Sequence, residues 1–194
     1  MTIAVATHNK KKGVELLSLL APLGHDVKTL ADLGVTREPE EDGKTFLDNA
    51  RIKALAALAE TGLPALADDS GLCVDALDGA PGVYSARFGG FSTDGERNTH
   101  LLRLMDGREN RACYFHCSAV LVFPDGTALF AEGRCGGLLL DTPRGQNGFG
   151  YDPLFFLPGI GKTMAEITPA EKDALSHRGS ALRELMRALA GSGR

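Results

Sequence analysis

The sequence lacks any apolar run long enough to cross a bilayer, and its N-terminus lacks a basic region followed by a long apolar stretch. A membrane-spanning helix needs about 20 mostly apolar residues, and a secretory signal peptide needs that basic and apolar pair. Residues 2–6 instead have the pattern of a short opening strand. We therefore expect no membrane partner and a cytoplasmic location.

Cysteine is scarce and shows no metal-binding spacing. The four cysteines form no Cys-x-x-Cys pair, and no histidine stands at zinc-finger spacing. Cys113 and Cys117 fall in an apolar, strand-like run, where free buried thiols are the expected state. This usage favours a reducing compartment and gives no indication of a zinc site.

Basic residues do not exceed acidic ones. The chain has 21 Lys and Arg against 25 Asp and Glu, a formal net charge of −4. This balance argues against a general nucleic-acid-binding protein, so an anionic substrate would need a local basic cluster. We expect a small-molecule substrate and no nucleic-acid partner. A protein that processes nucleic-acid ends is the alternative, and salt-dependent binding to DNA would favour it.

Length and pattern predict one mixed α/β domain with a sizeable core. The chain has 194 residues, of which 43% are hydrophobic. Capping boxes predict helices that begin at Thr45, Thr93 and Thr168. An earlier helix, predicted from the apolar residues that start at Val14, is expected to end at about Pro22. Residues 124–126 are typical of a hairpin turn between the β-type runs 112–123 and 127–132.

Two adjacent carboxylates follow a buried-strand pattern. Apolar residues 63–67 predict a strand that stops at Asp68 and Asp69, and Ser70 and Gly71 complete the group. Charges at the end of a buried strand are costly unless something uses them. Mg²⁺ or Mn²⁺ would use them, since carboxylate oxygens suit both ions. A turn in which Asp and Ser cap the backbone is the alternative.

A polar loop at the first strand-to-helix junction has the chemistry of a phosphate site. Thr7, Asn9 and Lys12 offer hydroxyl, amide and ammonium donors there, and the following helix would point its positive N-terminus at the same place. The spacing of a P-loop is absent. For Lys10 and Lys11 a solvated patch is the favoured interpretation.

A second polar loop and the helix after it offer further candidates. Glu40 and Glu41 become potential metal ligands if a metal is present, although such an acidic loop is usually only solvated. Lys53 shares a helix face with Asn49, apart from the apolar stripe that includes Leu55. The spacing of Lys53 from Asn49 makes a role in binding plausible, and a solvent-facing lysine is the usual alternative.

Aromatic residues between glycines, at residues 148–153, have a pattern that can stack on a base while the backbone bonds its edge. A tight turn with two core aromatics is the alternative. Lys172, His177 and Arg178, near a predicted helix interruption, offer donors for keto oxygens or phosphates. A His-Arg pair like this one is more often structural than functional, so a structural role is the alternative.

Five segments in this order resemble the motifs of the inosine triphosphate pyrophosphatase family, the RdgB-like enzymes. They are residues 7–12, 67–72, 79–87, 148–153 and 176–178. The resemblance covers nearly the whole chain. One departure is His8, where bacterial relatives often have glycine.

The resemblance implies an α/β fold with a mixed, strongly twisted sheet in a two-lobed single domain over residues 1–194, with the active-site cleft between the lobes. It also implies a homodimer and Mg²⁺-dependent hydrolysis of ITP, dITP and XTP to the nucleoside monophosphate and pyrophosphate, which cleanses the nucleotide pool. Mn²⁺ is the alternative metal. A pyrophosphatase for other modified nucleoside triphosphates and a nucleotide sensor without turnover are the alternative functions.

The family pattern also assigns roles. Asp69 is implied as general base and metal ligand, with Asp68 orienting water or a ligand, and either Glu40 or Glu41 completes the metal ligands. A metal depresses the pKa of its carboxylate ligand, so we expect Asp69 to act on water held by the metal. Donors from His177, Arg178 and the backbone of residues 149–152 would select a keto base. The residues expected to bind substrate are Thr7, His8, Asn9, Lys10, Lys11, Lys12, Lys53, Ser70, Phe149, Gly150, Tyr151, Asp152, Lys172, His177 and Arg178.

Overall fold

The computed structural model contains both strands and helices and describes residues 1–21 and 24–193. The predicted helix end at Pro22 lies outside these residues. The strands are β1 (Thr2–Val5), β2 (Asp26–Thr29), β3 (Ala65–Val74), β4 (Ala112–Val122), β5 (Ala128–Leu139), β6 (Phe155–Leu157) and β7 (Lys162–Thr163). The α-helices are α1 (Lys10–Leu20), α2 (Phe46–Thr61), α3 (Asp94–Leu104), α4 (Pro169–Leu175) and α5 (His177–Gly191).

The described strands form one mixed sheet with the hydrogen-bonded order β2-β1-β3-β4-β5-β6-β7. β1 pairs in parallel with β2 and β3, and Ala4 lies opposite Ala65. β6 pairs antiparallel with both β5 and β7. The predicted mixed α/β fold is confirmed, whereas the strong twist and the cleft stay predictions.

The chain forms two compact units, within each of which the residues are close together in space. Unit 1 comprises Met1–Asp69, Cys117–Gly133 and His177–Arg194, and unit 2 comprises Ser70–His116 and Arg134–Ser176. Each unit has buried apolar residues of its own. A single domain over the whole chain stays a prediction.

Both faces of the sheet in unit 1 pack against helices. Successive side chains of a strand point to opposite faces, so each strand contributes to both. Ile3 and Val5 of β1 and Leu66 of β3 pack with α1 and α5. Ala4 and Ala65 point to the other face, which packs against alanines of α2. β3 is therefore packed against α1 and α5 on one face and against α2 on the other.

Helix α2 packs through small side chains. Ala50, Ala54 and Ala57 are buried and recur at helical spacing. Leu55, predicted in this stripe, is instead 45% exposed. The alanine stripe lets the α2 backbone approach the sheet, and Asn49, next to it on the helix, is fully buried.

The paired acids do not end a strand as predicted. β3 continues from Ala65 to Val74, so Asp68 and Asp69 lie in its interior. Both are buried, and each contacts cationic side chains described below. Because these partners compensate the charges, strand pairing continues past the two acids.

The predicted hairpin is present but longer than expected. The turn closes through a bond from Phe123 N–H to Thr127 C=O of 2.9 Å. β5 was expected to end at Glu132 and instead runs to Leu139, whose N–H donates to Arg111 C=O at 2.8 Å. Pairing with neighbouring strands extends β5 beyond the segment that its local pattern predicted.

Unit 2 packs around a mixed apolar core. Leu72 and Val74 of β3 contact a cluster that includes Phe115, Tyr151 and Phe155. The rings of Phe115 and Phe155 lie 4.5 Å apart. Tyr151 OH donates to Ser85 C=O at 2.9 Å, so its one polar group is satisfied inside the core.

Gly71→Ala is expected to destabilise the protein by about 2–3 kcal/mol. A Cβ at Gly71 would collide with Ser85 Oγ and Gly82 C=O, where Ser85 Oγ accepts from Leu72 N–H at 3.0 Å. Urea unfolding would measure the loss. Gly95→Ala is the control, since a Cβ there meets no atom. An equal effect of both substitutions would contradict the close approach at Gly71.

No helix within residues 1–21 and 24–193 is long and apolar enough to span a membrane.

Candidate active site

The alternation of β3 sends its two acids to opposite faces of the sheet. Asp68 follows Leu66 on the face of α1 and α5, and Asp69 follows Ala67 on the face of α2. Both carboxylates belong to unit 1. The adjacent acids therefore meet two different sets of partners.

Asp68 lies at the centre of a buried ion cluster. Its Oδ2 accepts from Arg178 Nε and Nη2, both at 3.1 Å, and lies 3.6 Å from Lys12 Nζ. Asp68 is 2% exposed and Arg178 1% exposed. Burial by itself would raise the pKa of Asp68, but the charges of Arg178, Lys12 and Lys53 overcome it and hold that pKa far below its usual range.

A further acid, Glu15, holds the other end of the arginine. Its carboxylate accepts from Arg178 Nη1. Sequence reasoning did not single out Glu15, although its position three residues after Lys12 on α1 places both on one helix face. Arg178 of α5 thus contacts Asp68 of β3 and Glu15 of α1, all within unit 1.

Asp69 meets two side chains from α2. Its Oδ2 accepts from Asn49 Nδ2 at 3.2 Å, and its Oδ1 from Lys53 Nζ at 3.1 Å. Asn49 Oδ1 in turn accepts from Gly43 N–H at 2.9 Å. Asn49 was noted only for its spacing from Lys53, and the structure shows that it ties Asp69 to the acidic loop before α2.

The acidic loop contributes Glu41 to this group. Its Oε2 lies 3.1 Å from Lys53 Nζ, whereas the neighbouring Glu40 is exposed. Burial would lower the pKa of Lys53, and the charges of Asp69, Asp68 and Glu41 raise it instead. Between the two candidate ligands, this geometry favours Glu41.

These carboxylates fit a divalent cation in their donor chemistry. Asp69 and Glu41 converge on one cation, the Lys53 ammonium. Asp68 Oδ1 is buried and has no hydrogen-bond partner among the described residues. Within those same residues no three His, Cys, Asp or Glu side chains form a metal cluster. Mg²⁺ commonly takes only one or two protein carboxylates and completes its shell with water and phosphate oxygens.

The predicted phosphate loop lies at the start of α1, also in unit 1. Asn9 is the N-cap, and its Oδ1 accepts from Lys11 N–H at 3.0 Å and Lys12 N–H at 3.2 Å. Thr7 Oγ1 accepts from Asn9 N–H at 3.2 Å. His8 Nδ1 lies 4.0 Å from Glu38. Side chains that are exposed in this loop are those of His8, Asn9, Lys10 and Lys11.

In unit 2 the aromatic loop carries a buried ion pair. Lys172 Nζ contacts Asp152 Oδ2 at 2.6 Å and lies 4.7 Å from the Phe149 ring centre. Asp152 Oδ2 also accepts from Phe149 N–H at 2.8 Å. Gly148 has a φ of +74°, and a Cβ there would collide with the Asp152 carboxylate. The loop therefore holds the Phe149 ring beside a fixed cation.

The predicted base donors are engaged elsewhere in this structure. The N–H groups of Phe149 and Gly150 donate to Asp152 and Asp94, and Arg178 donates to Asp68 and Glu15. These contacts do not support a direct role of those groups at the base, which stays a prediction. His177 is buried at the start of α5, and Ser70 is half-buried on β3.

The motifs in unit 1 and unit 2 are spread from residue 7 to residue 178, and the match to a known family spans nearly the same range. The model of the Ham1 family matches residues 3–188. The chain belongs to the Ham1 family. The solved structure of a HAM1 protein from Coxiella burnetii superposes with a TM-score of 0.89 at 41% identity, covering 98% of this chain and 99% of that one.

Two relatives of this Ham1 protein share about half its residues. One from Thermus thermophilus, named dITP/XTP pyrophosphatase, is 53% identical over 191 residues, which cover 97% of this chain and 91% of the relative. Another from an Exiguobacterium species has the same name and is 49% identical over 186 residues, 95% of each chain. The family resemblance of the motifs is thereby confirmed.

Proposed function

We propose that this Ham1 protein hydrolyses dITP, XTP and ITP to the nucleoside monophosphate and pyrophosphate. The observation that carries the proposal is the pairing of Asp69 and Glu41 around Lys53, beside Asp68 and Lys12. A triphosphate carries about four negative charges, and its hydrolysis depends mainly on charge compensation and positioning. The relatives named dITP/XTP pyrophosphatase support the same reaction.

The cations of unit 1 bind the phosphates in this proposal. Lys12 and Lys53 are half-buried and already lie beside carboxylates, so their ammonium groups are fixed in position. The N-terminus of α1, capped by Asn9, adds a positive dipole end. Thr7 offers a hydroxyl at the same junction.

Asp69 is the general base in this proposal and takes a proton from the water that attacks the α-phosphorus. Asn49 fixes one carboxylate oxygen, and Lys53 contacts the other. Asp68 acts as an anchor, since Arg178 and Lys12 hold its Oδ2 and keep it ionised. A proton therefore passes to Asp69 rather than to Asp68.

Asp69 and Glu41 would hold Mg²⁺, with Mn²⁺ as the alternative. When bound, the cation would offset the charge that develops on the departing pyrophosphate. Lys53 contacts both acids, so its ammonium keeps them from repelling each other.

Selection of the base rests on the loop of unit 2. The ring of Phe149 offers a stacking surface, and Lys172 and Asp152 beside it offer a donor and an acceptor. A base with a keto oxygen at position 6 can accept from an ammonium, whereas the amino group of adenine cannot. With adenine Lys172 would keep only Asp152 as its acceptor, whereas a keto base adds a second acceptor, so the keto base is favoured.

A homodimer and a cytoplasmic location stay proposals that come from the family resemblance and from the sequence pattern. A sensor that binds nucleotide without turnover is the second candidate function. It would use the same lysines and the same aromatic loop. Turnover separates the two.

The test is pyrophosphate release from dITP, XTP, dGTP and dATP, each with Mg²⁺ and with a chelator. We expect release from dITP and XTP that the chelator abolishes, and little from dATP, whose base lacks the keto oxygen. Guanine shares the keto oxygen, so exclusion of dGTP would need a poor fit for its 2-amino group. Binding of all four without release would favour the sensor. Equal release from dATP would contradict the role of Lys172 and Asp152 at the base, and release that survives chelation would contradict the metal.

A further inference from the structure

Helix α3 holds both backbone polar groups of one loop residue in unit 2. Asp94 Oδ2 accepts from Gly150 N–H at 2.8 Å, and Asn98 Nδ2 donates to Gly150 C=O at 3.0 Å. Residues four apart on a helix share a face, so the two side chains reach the same peptide segment together. We call Asp94 and Asn98 the α3 clamp.

The clamp is itself fixed in place. Arg97 Nη2 contacts Asp94 Oδ1 at 2.6 Å, and its Nη1 donates to Phe91 C=O at 2.8 Å. Asp94 is the first residue of α3, where a carboxylate is favoured by the helix dipole.

Gly150 stands between the two residues assigned to the base, Phe149 and Asp152. It has no side chain, so only its N–H and C=O can hold it. Asp152 already accepts from Phe149 N–H, and Tyr151 OH donates to Ser85 C=O. The α3 clamp supplies a further attachment of the loop, from a helix outside the predicted substrate-binding residues.

We propose that Asp94 and Asn98 are positioning residues that hold the loop of residues 148–152 for recognition of the purine base. The inference rests on the proposed function, because it concerns the same loop. Neither residue touches the base in this proposal. Each acts through Gly150, which sets the position of the Phe149 ring and of the Asp152 carboxylate.

Asn98→Asp is the sharpest probe, because it keeps the shape and replaces the donor by an acceptor. An ionised carboxylate would face the Gly150 carbonyl and lie near Asp94. We expect kcat/KM for dITP to fall roughly 10- to 100-fold, through KM, with kcat within about twofold of wild type. Asp94→Ala should show the same split, and Asp94→Asn, which keeps an acceptor oxygen, should restore most of the loss.

A readout independent of turnover is the Gly150 amide. Its exchange with solvent deuterium, followed by NMR, should be slow in the wild type and accelerate in Asp94→Ala but much less in Asp94→Asn. Glu96→Ala is the matched control. It weakens the capping box of the same helix and has no part in the bonds to Gly150.

The outcomes separate the clamp from a merely structural role and from the proposed function. A rise in KM confined to the clamp variants, with Gly150 exchange accelerated, supports the clamp. An equal rise in KM for Glu96→Ala, or an unchanged KM in Asn98→Asp, would overturn it. If the wild type releases no pyrophosphate from any triphosphate, the proposed function fails. Calorimetric binding of dITP then replaces KM, and unchanged affinity in Asn98→Asp overturns the clamp.

Discussion

Asp69→Asn is expected to lower kcat for dITP by about a thousandfold, since a general base contributes roughly 10²- to 10⁴-fold. The amide keeps the shape of the carboxylate and one oxygen for Asn49 or Lys53. It cannot accept the proton of the attacking water. Single-turnover measurement of pyrophosphate release would give the loss without interference from product release.

The fold of Asp69→Asn should remain intact. Lys53 keeps its contact with Glu41, and Asn49 keeps its bond to Gly43. We expect a change of about 1 kcal/mol or less in the free energy of unfolding. Asp42→Asn is the control, because Asp42 is an exposed acid of the neighbouring loop. Near-normal turnover of Asp69→Asn with Mg²⁺ binding intact would show that Asp69 is not the base.

Arg178→Met is expected to cost about 3–5 kcal/mol of stability at about pH 7, because it leaves the buried charge of Asp68 without its main partner. Arg178 donates two hydrogen bonds to Asp68 Oδ2, beside a longer one from Cys117 Sγ at 3.8 Å, and Oδ1 has none among the described residues. Arg178→Lys keeps the charge but loses the two-donor geometry, so its cost should be smaller. Urea unfolding would measure each value.

The cost of Arg178→Met should shrink as the pH falls. In the wild type the pKa of Asp68 is lowered, so its contribution to stability is present above the ordinary aspartate pKa of about 3.9 and is lost as pH falls through the lower folded value. Without Arg178 the burial of Asp68 raises its pKa relative to the wild type. Protonation on acidification then removes the unpaired charge, and the two proteins converge in stability.

Two further variants check this interpretation. Asp68→Asn combined with Arg178→Met should recover much of the loss, since no unpaired charge remains at Asp68. Arg187→Met is the control, because Arg187 pairs with Glu184 at the exposed end of α5 and should change stability by less than about 0.5 kcal/mol. A cost of Arg178→Met that does not vary with pH and is not recovered in the double variant would assign its role to packing.

The same contacts change the interpretation of Arg178. The family resemblance placed it at the keto oxygen of the base, and in this structure its donors go to Asp68 and Glu15. A loss of substrate use in an Arg178 variant therefore needs the stability measurement beside it. Only a loss of base selection that exceeds the loss of folded protein would support contact with the base.

The sequence determined by itself the features that depend on neighbouring residues. Thr45, Thr93 and Thr168 each begin a helix with a capping box as predicted, because a cap bonds residues three apart. The interruption near residue 176 is present, with Ser176 between α4 and α5. The motif order was sufficient to indicate the family for the same reason, since each motif is a short local pattern.

Only the tertiary structure decided which side chains meet. The bond from Arg178 to Asp68 joins residues 110 positions apart, and nothing in the local pattern of either shows it. The same holds for Asn49 at Asp69 and for Glu41 rather than Glu40 at Lys53. The local pattern predicted that a strand ends at Asp68 and Asp69. Ion pairs with side chains of α1, α2 and α5 compensate the charge of the two acids, so the strand continues through them.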